Sequence, residues 1–140
     1  MPRSTATERK TIERFRPRYG QTATAAERAL ELAAIGANVG ANGYTTVAQA
    51  ERMGRLLALG RGARLLDIGC GRGYPGLYLA RTTGCSVVEA DLPLESLAAA
   101  RRRAKRLRLS RRAEIVAASA VALPFRPGSF DAIVHTDVLC

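Results

Sequence analysis

Apolar residues recur at helical spacing in the first part of the chain. A helix is predicted from Thr22 to Ile35, with four residues on its inner face: Ala26, Leu30, Ala33 and Ala34. A second helix is predicted to start at Thr46, because TVAQ matches the Ser/Thr-x-x-Glu/Gln capping box, and to end at LGRG. Its inner face is predicted to hold Val47, Ala50, Gly54 and Leu57. The polar residues 1–20 are expected to form a mobile arm or a short helix.

After Gly62 the pattern changes to short apolar runs separated by helical segments. Four runs have strand length and character: Arg64–Ile68, Ser86–Ala90, Ala113–Ala117 and Phe130–His135. The first intervening helix is predicted between Pro75 and Gly84. The second, LESLAAARRRAKRLRLS, is predicted to direct Leu94, Leu97 and Ala98 inward. Strands that alternate with helices indicate an α/β fold with a parallel sheet.

The composition indicates one globular domain with a basic surface. The chain has 140 residues, 47% of them hydrophobic, and a formal net charge of +10. Such a charge can bind nucleic acid, but the bias toward Arg, Ala and Gly favours a solvated basic surface, so a nucleic-acid partner is disfavoured. No apolar run approaches the roughly 20 residues that span a bilayer, and the N-terminus lacks an export segment, so we expect a cytoplasmic protein without membrane contact.

The number and spacing of the cysteines indicate no metal site. Cys70, Cys85 and Cys140 are odd in number and lack C-x-x-C spacing, so neither a disulfide framework nor a metal cage is expected. Free thiols are the expected state of all three.

The segment LLDIGCGRGYPG contains a G-x-G-x-x-G pattern at Gly71, Gly73 and Gly76. A strand that runs into a glycine turn and then a helix builds a nucleotide site at the carboxyl end of the sheet. Asp67, at the end of the strand, would repel a pyrophosphate and would attract a ligand that carries an ammonium group. The loop therefore favours a nucleotide that bears a cation.

Three segments together resemble class I S-adenosylmethionine-dependent methyltransferases: LLDIGCGRG, VVEADLPLESL and ALPFRPGSFDAIVHTDVLC. The resemblance covers about Ala63 to Cys140. It implies a Rossmann-like sheet in the order 3-2-1-4, S-adenosyl-L-methionine as cofactor, and C-terminal strands that are missing here. The chain then divides into a polar arm (1–20), a helical cap (21–60) and a truncated S-adenosylmethionine-binding domain (61–140).

The resemblance assigns cofactor-binding roles to the loop and to the end of the second strand. The loop backbone would wrap the methionine end of the cofactor at Gly69, Cys70, Gly71 and Gly73. Asp67 would bind the ammonium group of the cofactor, directly or through water. Asp91 would accept hydrogen bonds from both ribose hydroxyls, although its spacing also fits a dinucleotide fold and an ordinary helix N-cap. Leu92 would pack on the adenine.

The ends of the third and fourth strands complete the expected site. Family members often carry an acidic residue after the third strand, whereas this chain offers Ser119, so adenine recognition is expected to use Ser119 and the backbone near Ala120. Thr136 and His135 are expected near the sulfonium. His135 is a candidate general base or a strand-end histidine without a catalytic role, so no catalytic residue is assigned.

The leading functional hypothesis is a methyltransferase that acts on a small molecule. An NAD-dependent oxidoreductase and a non-catalytic, basic nucleic-acid-binding module are the alternatives. Because the cofactor half is expected without the complete acceptor half, the 140 residues alone are expected to turn over poorly. The fourth strand is expected to be an exposed apolar edge, which invites self-association.

Overall fold

The computed structural model describes residues 5–138. In chain order the helices and strands are α1 (Ala6–Tyr19), α2 (Ala25–Ile35), α3 (Val47–Leu56), β1 (Arg64–Ile68), α4 (Gly76–Thr83), β2 (Ser86–Asp91), α5 (Leu94–Arg106), β3 (Ala113–Ala117) and β4 (Ala132–Val134). The α/β fold class is confirmed. The predicted bounds of β1 and β3 are confirmed to the residue, whereas β2 extends to Asp91 and β4 is shorter than the predicted run.

The four strands form one parallel sheet in the order β3-β2-β1-β4, which confirms the expected topology. In the register between β1 and β2, Leu65 pairs with Val87 and Asp67 pairs with Glu89. Because all strands run in the same direction, their carboxyl ends meet at one edge of the sheet. That edge carries the loops that follow β1, β2, β3 and β4.

Apolar side chains cover both faces of the sheet. On the face covered by α4 and α5, the largest buried members are Leu65, Leu77, Leu79, Val87 and Leu109. The other face has a smaller cluster of Leu66, Val88, Ala90 and Ala118, with the rings of Phe125 and Phe130 packed against it. Each fully buried Leu or Val contributes about 1.5–3 kcal/mol, so the first cluster fixes how α4 sits on the strands.

Threonine capping boxes start the three N-terminal helices at Thr5, Thr24 and Thr46. In each box the hydroxyl accepts the backbone N–H three residues on, and the Glu or Gln there accepts the threonine N–H. The capping box predicted at Thr46 is confirmed. Residues 6–19 form the short helix that was one of the two expectations for the polar segment. This helix meets α5 through an Arg16–Glu95 ion pair of 2.8 Å.

The predicted inner face of α2 is wrong. Ala26, Leu30, Ala33 and Ala34 are all exposed, Leu30 to 69%, and Ile35 is the buried residue of this helix. Leu30 and Ala34 line a cavity beside α1 rather than the core. The helix begins at Ala25 because Thr24 caps it.

Two further inward positions are corrected. Leu57 is 38% exposed, because α3 ends before it and Met53 packs against the core instead. Leu94, the first residue of α5, is 69% exposed. The inner face of α5 runs through Leu97, Ala100 and Ala104.

Candidate functional site

The glycine loop joins β1 to α4 and is held against the end of β2. The backbone N–H groups of Gly69 and Cys70 both donate to the carbonyl oxygen of Ala90, at 2.8 and 3.2 Å. Gly69, Gly71 and Gly73 have φ angles of 69°, 56° and 88°, a region in which a side chain is strained. The loop therefore folds tightly and presents its backbone at the carboxyl edge of the sheet.

Asp91 at the end of β2 is bound to the loop by its side chain. Its Oδ2 accepts the N–H of Gly71 at 2.8 Å, and its Oδ1 accepts the N–H of Leu92 at 2.8 Å. Burial raises the pKa of Asp91, and the two backbone hydrogen bonds oppose that shift. Each carboxylate oxygen has two lone pairs, so both oxygens can accept a further hydrogen bond from a ligand hydroxyl.

Asp67 is buried beneath the loop, with 1% of its surface exposed. Its Oδ2 accepts the N–H of Gly76 at 2.8 Å, so the carboxylate lies at the N-terminus of α4. Dinucleotide folds bind pyrophosphate at this helix end. Here the protein's own carboxylate takes that place, and a phosphate would meet like charge.

The remaining predicted residues follow β3 and β4. The N–H of Ala118 donates to the carbonyl oxygen of Asp91 at 3.0 Å, which places half-buried Ser119 and exposed Ala120 beside the end of β2. His135 and Thr136 follow β4 at the same edge of the sheet, His135 exposed and Thr136 half-buried. The structure thus brings the predicted residues to one edge, while their individual roles remain predictions.

The sequence analysis missed Tyr19 and Asn42, which lie against the loop. A Cβ atom placed on Gly71 would be 3.0 Å from Asn42 Nδ2 and 3.5 Å from Tyr19 Oη. Burial, with the nearby Asp91 carboxylate, raises the pKa of Tyr19 to about 12, so its phenol stays protonated. No local pattern marks these two residues, because the contact joins distant parts of the chain.

A cavity of about 600 Å³ lies between the end of α1, helix α2 and the glycine loop. Its walls include the apolar side chains of Leu30, Ala34 and Ile35, together with Asn42 and Arg72. The guanidinium of Arg72 donates to the carbonyl oxygen of Arg18, so the cavity is joined to α1.

Asp137 fastens one wall of this cavity to the end of β4. Its Oδ2 accepts hydrogen bonds from the N–H of Tyr44 and the hydroxyl of Thr45, both at 3.1 Å. The N-terminal part of the chain is therefore tied to the sheet domain at two places, by Arg72 of the glycine loop and by Asp137 after β4.

Within residues 5–138, no three His, Cys, Asp or Glu side chains are grouped so that they could hold a metal ion. In the same range, no helix combines the length and the apolar character needed to cross a membrane.

The sheet order, the glycine loop and the carboxylate at the end of β2 together define the Rossmann-like fold of class I S-adenosylmethionine-dependent methyltransferases. A family model described as a methyltransferase domain matches residues 65–140, and the chain belongs to this family.

Relatives and solved structures of this class share the cofactor half of the fold. The methyltransferase GfsG of Streptomyces halstedii is 37% identical over 83 residues, which are 59% of this chain and 30% of the relative. The 24-methylenesterol C-methyltransferase 2 of Oryza sativa subsp. japonica is 33% identical over 90 residues, 64% of this chain and 25% of the relative. The chain therefore spans less than a third of either relative's length.

A solved structure with the same fold contains a cofactor product. The crystal structure of a SAM-dependent methyltransferase from Thiobacillus denitrificans in complex with S-adenosyl-L-homocysteine has a TM-score of 0.59 and 26% identity. The match covers 66% of this chain and 37% of that chain.

Proposed function

We propose that this chain is the cofactor-binding part of an S-adenosylmethionine-dependent methyltransferase that acts on a small molecule. The observation that carries the proposal is the hydrogen bond from Gly76 N–H to Asp67 Oδ2 at the start of α4. It puts a carboxylate where a nicotinamide cofactor needs a phosphate site, which disfavours the oxidoreductase alternative. Membership of the methyltransferase-domain family supports the same choice.

The residues present fit S-adenosylmethionine. The three positive-φ glycines leave the loop backbone open to close approach by a ligand, and Asp91 has acceptor capacity left for ribose hydroxyls. Two carboxylates, Asp67 and Asp91, hold the loop by accepting its N–H groups in an otherwise basic chain, and they favour a cationic ligand. When bound, S-adenosylmethionine supplies an activated methyl group on its sulfonium.

The protein's own contribution is binding and alignment. The loop backbone and Asp67 would hold the amino-acid end, Asp91 the ribose, and Leu92 one face of the adenine. Ser119 and the backbone at Ala120 would meet the edge of the adenine. Alignment of two reacting groups supplies up to roughly 7–11 kcal/mol, which needs no side-chain acid or base.

His135 and Thr136 would lie near the sulfonium of the cofactor, where the methyl group is transferred. Both follow β4, and the exposed imidazole of His135 can accept a proton from an acceptor that arrives protonated. Tyr19 and Asn42 lie over Gly71 and would keep water from the loop.

The cavity beside α2 suits a partly apolar acceptor. Leu30, Ala34 and Ile35 give it one apolar wall, and Asn42 and Arg72 give it polar groups. The Oryza sativa relative is named for a sterol substrate, which supports an apolar acceptor class. Small-molecule pockets commonly combine apolar walls with a few polar groups in this way.

A cytoplasmic location is part of the proposal. Cys70 and Cys85 are buried free thiols, which suits a reducing compartment.

Self-association through β4 is also proposed. In the described chain β4 pairs with β1 alone, and its Ile133 is 53% exposed. Size-exclusion chromatography at several protein concentrations tests it.

Calorimetric titration with S-adenosylhomocysteine, with NADH as comparator, tests the cofactor assignment. Saturable binding of S-adenosylhomocysteine alone is expected. Binding of NADH alone would overturn the assignment in favour of an oxidoreductase.

A further inference from the structure

Two carboxyl groups are buried side by side beneath the glycine loop. Asp67 of β1 and Glu89 of β2 are register partners, and they are 1% and 0% exposed. A Cβ atom placed on Gly76 would lie 2.3 Å from Glu89 Oε1 and 2.8 Å from Asp67 Oδ2. Both side chains therefore converge on the start of α4.

The surroundings of this pair supply too few donors for two ionised carboxylates. Gly76 N–H donates to Asp67 Oδ2, but Asp67 Oδ1 and both oxygens of Glu89 are buried without a hydrogen-bond partner. Neither carboxyl group forms a salt bridge with any residue in the described part of the chain. The thiol of Cys70 in the loop, a weak hydrogen-bond donor, lies near Glu89, and Asp91 at the end of β2 adds like charge. Among residues 5–138 the groups that act on the pair therefore include no cation.

A proton shared between Asp67 and Glu89 resolves the shortage of hydrogen-bond donors around the two carboxyl groups. Two adjacent carboxylates in a buried site cannot both ionise without a large cost, and one proton between them supplies the missing donor. The negative charge belongs on Asp67, because it receives the Gly76 N–H at the N-terminus of α4. Glu89 then keeps the proton. Burial and the neighbouring carboxyl group raise the pKa of Glu89, in agreement with this assignment.

We propose that Glu89 is a positioning residue whose protonated carboxyl group donates a hydrogen bond to Asp67 and holds it against the start of α4. The pair then carries one negative charge, which complements the one ammonium group of S-adenosylmethionine. This role toward the cofactor rests on the proposed function, whereas the shared proton does not.

Carboxyl-carbon NMR tests the shared proton directly. In protein labelled with ¹³C at Asp and Glu carboxyl carbons, one carboxyl group is expected to remain protonated at neutral pH. The signal of this carboxyl group should be absent in Glu89→Gln and unchanged in Glu114→Gln. Glu114 is the matched control, because it lies on the neighbouring strand β3 and its side chain is 62% exposed. Ordinary titration of every carboxyl group in the wild type would overturn the proposal.

Binding of S-adenosylhomocysteine tests the positioning role. Glu89→Gln keeps a donor toward Asp67 and should bind with nearly wild-type affinity. Glu89→Leu removes the donor and should bind about tenfold to a hundredfold more weakly. Equal losses in the Gln and Leu variants would overturn the positioning role, as would wild-type affinity in Leu.

The two measurements separate this inference from the proposed function. If the NMR signal is present and the wild-type chain binds no S-adenosylhomocysteine, the function fails and the shared proton stands. If the wild type binds but no carboxyl group stays protonated, the inference fails alone.

Discussion

The side chain of Asp91 accepts the backbone N–H of Gly71 at 2.8 Å and so joins the end of β2 to the middle of the glycine loop. The N–H of Leu92 fixes the other carboxylate oxygen. With both oxygens oriented by backbone donors, the outward lone pairs point in fixed directions before any ligand arrives. A single side chain thus orders the loop and forms part of the binding surface.

Asp91→Ala is expected to weaken S-adenosylhomocysteine binding by about 2–4 kcal/mol, because charge-assisted hydrogen bonds to the ribose and the loop are lost together. Asp91→Asn should lose less, since its amide oxygen still accepts one hydrogen bond. Calorimetric titration measures both variants.

Asp131→Asn is the matched control for Asp91. Asp131 Oδ2 likewise accepts a backbone N–H, that of Arg64 at 2.7 Å, but at the end of β1 opposite the glycine loop. It should leave the affinity for S-adenosylhomocysteine unchanged. Equal affinity of the Asp91→Ala variant and the wild type would contradict the ribose role.

Gly73→Ala and Gly128→Ala separate backbone strain from crowding in the loop. Their φ angles are similar, 88° and 74°, but a Cβ at Gly73 would lie 2.5 Å from Leu77 Cδ1, whereas Gly128 has open space. Thermal or urea unfolding should show a loss of about 1–2 kcal/mol for Gly128→Ala and about 2–5 kcal/mol for Gly73→Ala. Equal losses would mean that Leu77 can move aside.

Local patterns predicted the sheet and the loop better than the helical surroundings. β1 and β3 are short apolar runs of strand length next to helical segments, and Gly69 directly follows β1, so their bounds followed from the sequence. The apolar spacing of α2 is the same in sequence whether the helix faces a core or a cavity. Leu30 lines the cavity and is 69% exposed, and the sequence could not distinguish the two cases.

The missed site residues depend on contacts between distant segments. Tyr19 ends a polar helix and acquires its position only when α1 packs beside α5 and the loop. Glu89 lies in an apolar strand, where its partner Asp67 is identified by the β1–β2 register and by nothing in its neighbours in sequence.

Tyrosine fluorescence should report ligand binding through Tyr19. The chain has four tyrosines and no tryptophan, and Tyr19 lies beside Gly71 in the loop. S-adenosylhomocysteine is expected to change the emission of the wild type, and Tyr19→Phe should abolish most of that change. Tyr44→Phe is the control, because Tyr44 is 88% exposed. A full emission change in Tyr19→Phe would show that the ligand does not reach this side of the loop.

Gly76→Ala tests whether the carboxyl pair fills the space beside the start of α4. In a helix, Ala is favoured over Gly by about 1 kcal/mol, so the variant would be more stable if that space were empty. The carboxyl oxygens of Glu89 and Asp67 occupy the space of the new methyl group, and we therefore expect a loss of stability in urea unfolding. Gly60→Ala, which has open space, should change little.

The pH dependence of stability should reveal the shared proton of Asp67 and Glu89. Burial and the adjacent carboxyl group raise the pKa of Glu89 well above its ordinary value of 4.5, so above that pH the folded chain binds more protons than the unfolded chain. The free energy of unfolding therefore decreases as pH rises, by up to about 1.4 kcal/mol per pH unit for one proton, until the folded pair ionises. Urea unfolding at a series of pH values measures this slope.

Glu89→Gln should reduce that slope, because the amide cannot lose a proton and donates to Asp67 at every pH. The part that comes from Asp67, whose pKa burial raises to about 7, should remain. Glu114→Gln should follow the wild-type curve, since the Glu114 side chain is 62% exposed and lies outside the buried pair. At alkaline pH the Gln variant is then expected to be more stable than the wild type, although it has lost a native carboxyl group. If Glu89→Gln kept the full wild-type slope of unfolding free energy against pH, the slope would come from another group. Glu89 and Asp67 would then both be ionised in the folded chain, and the shared proton would be ruled out.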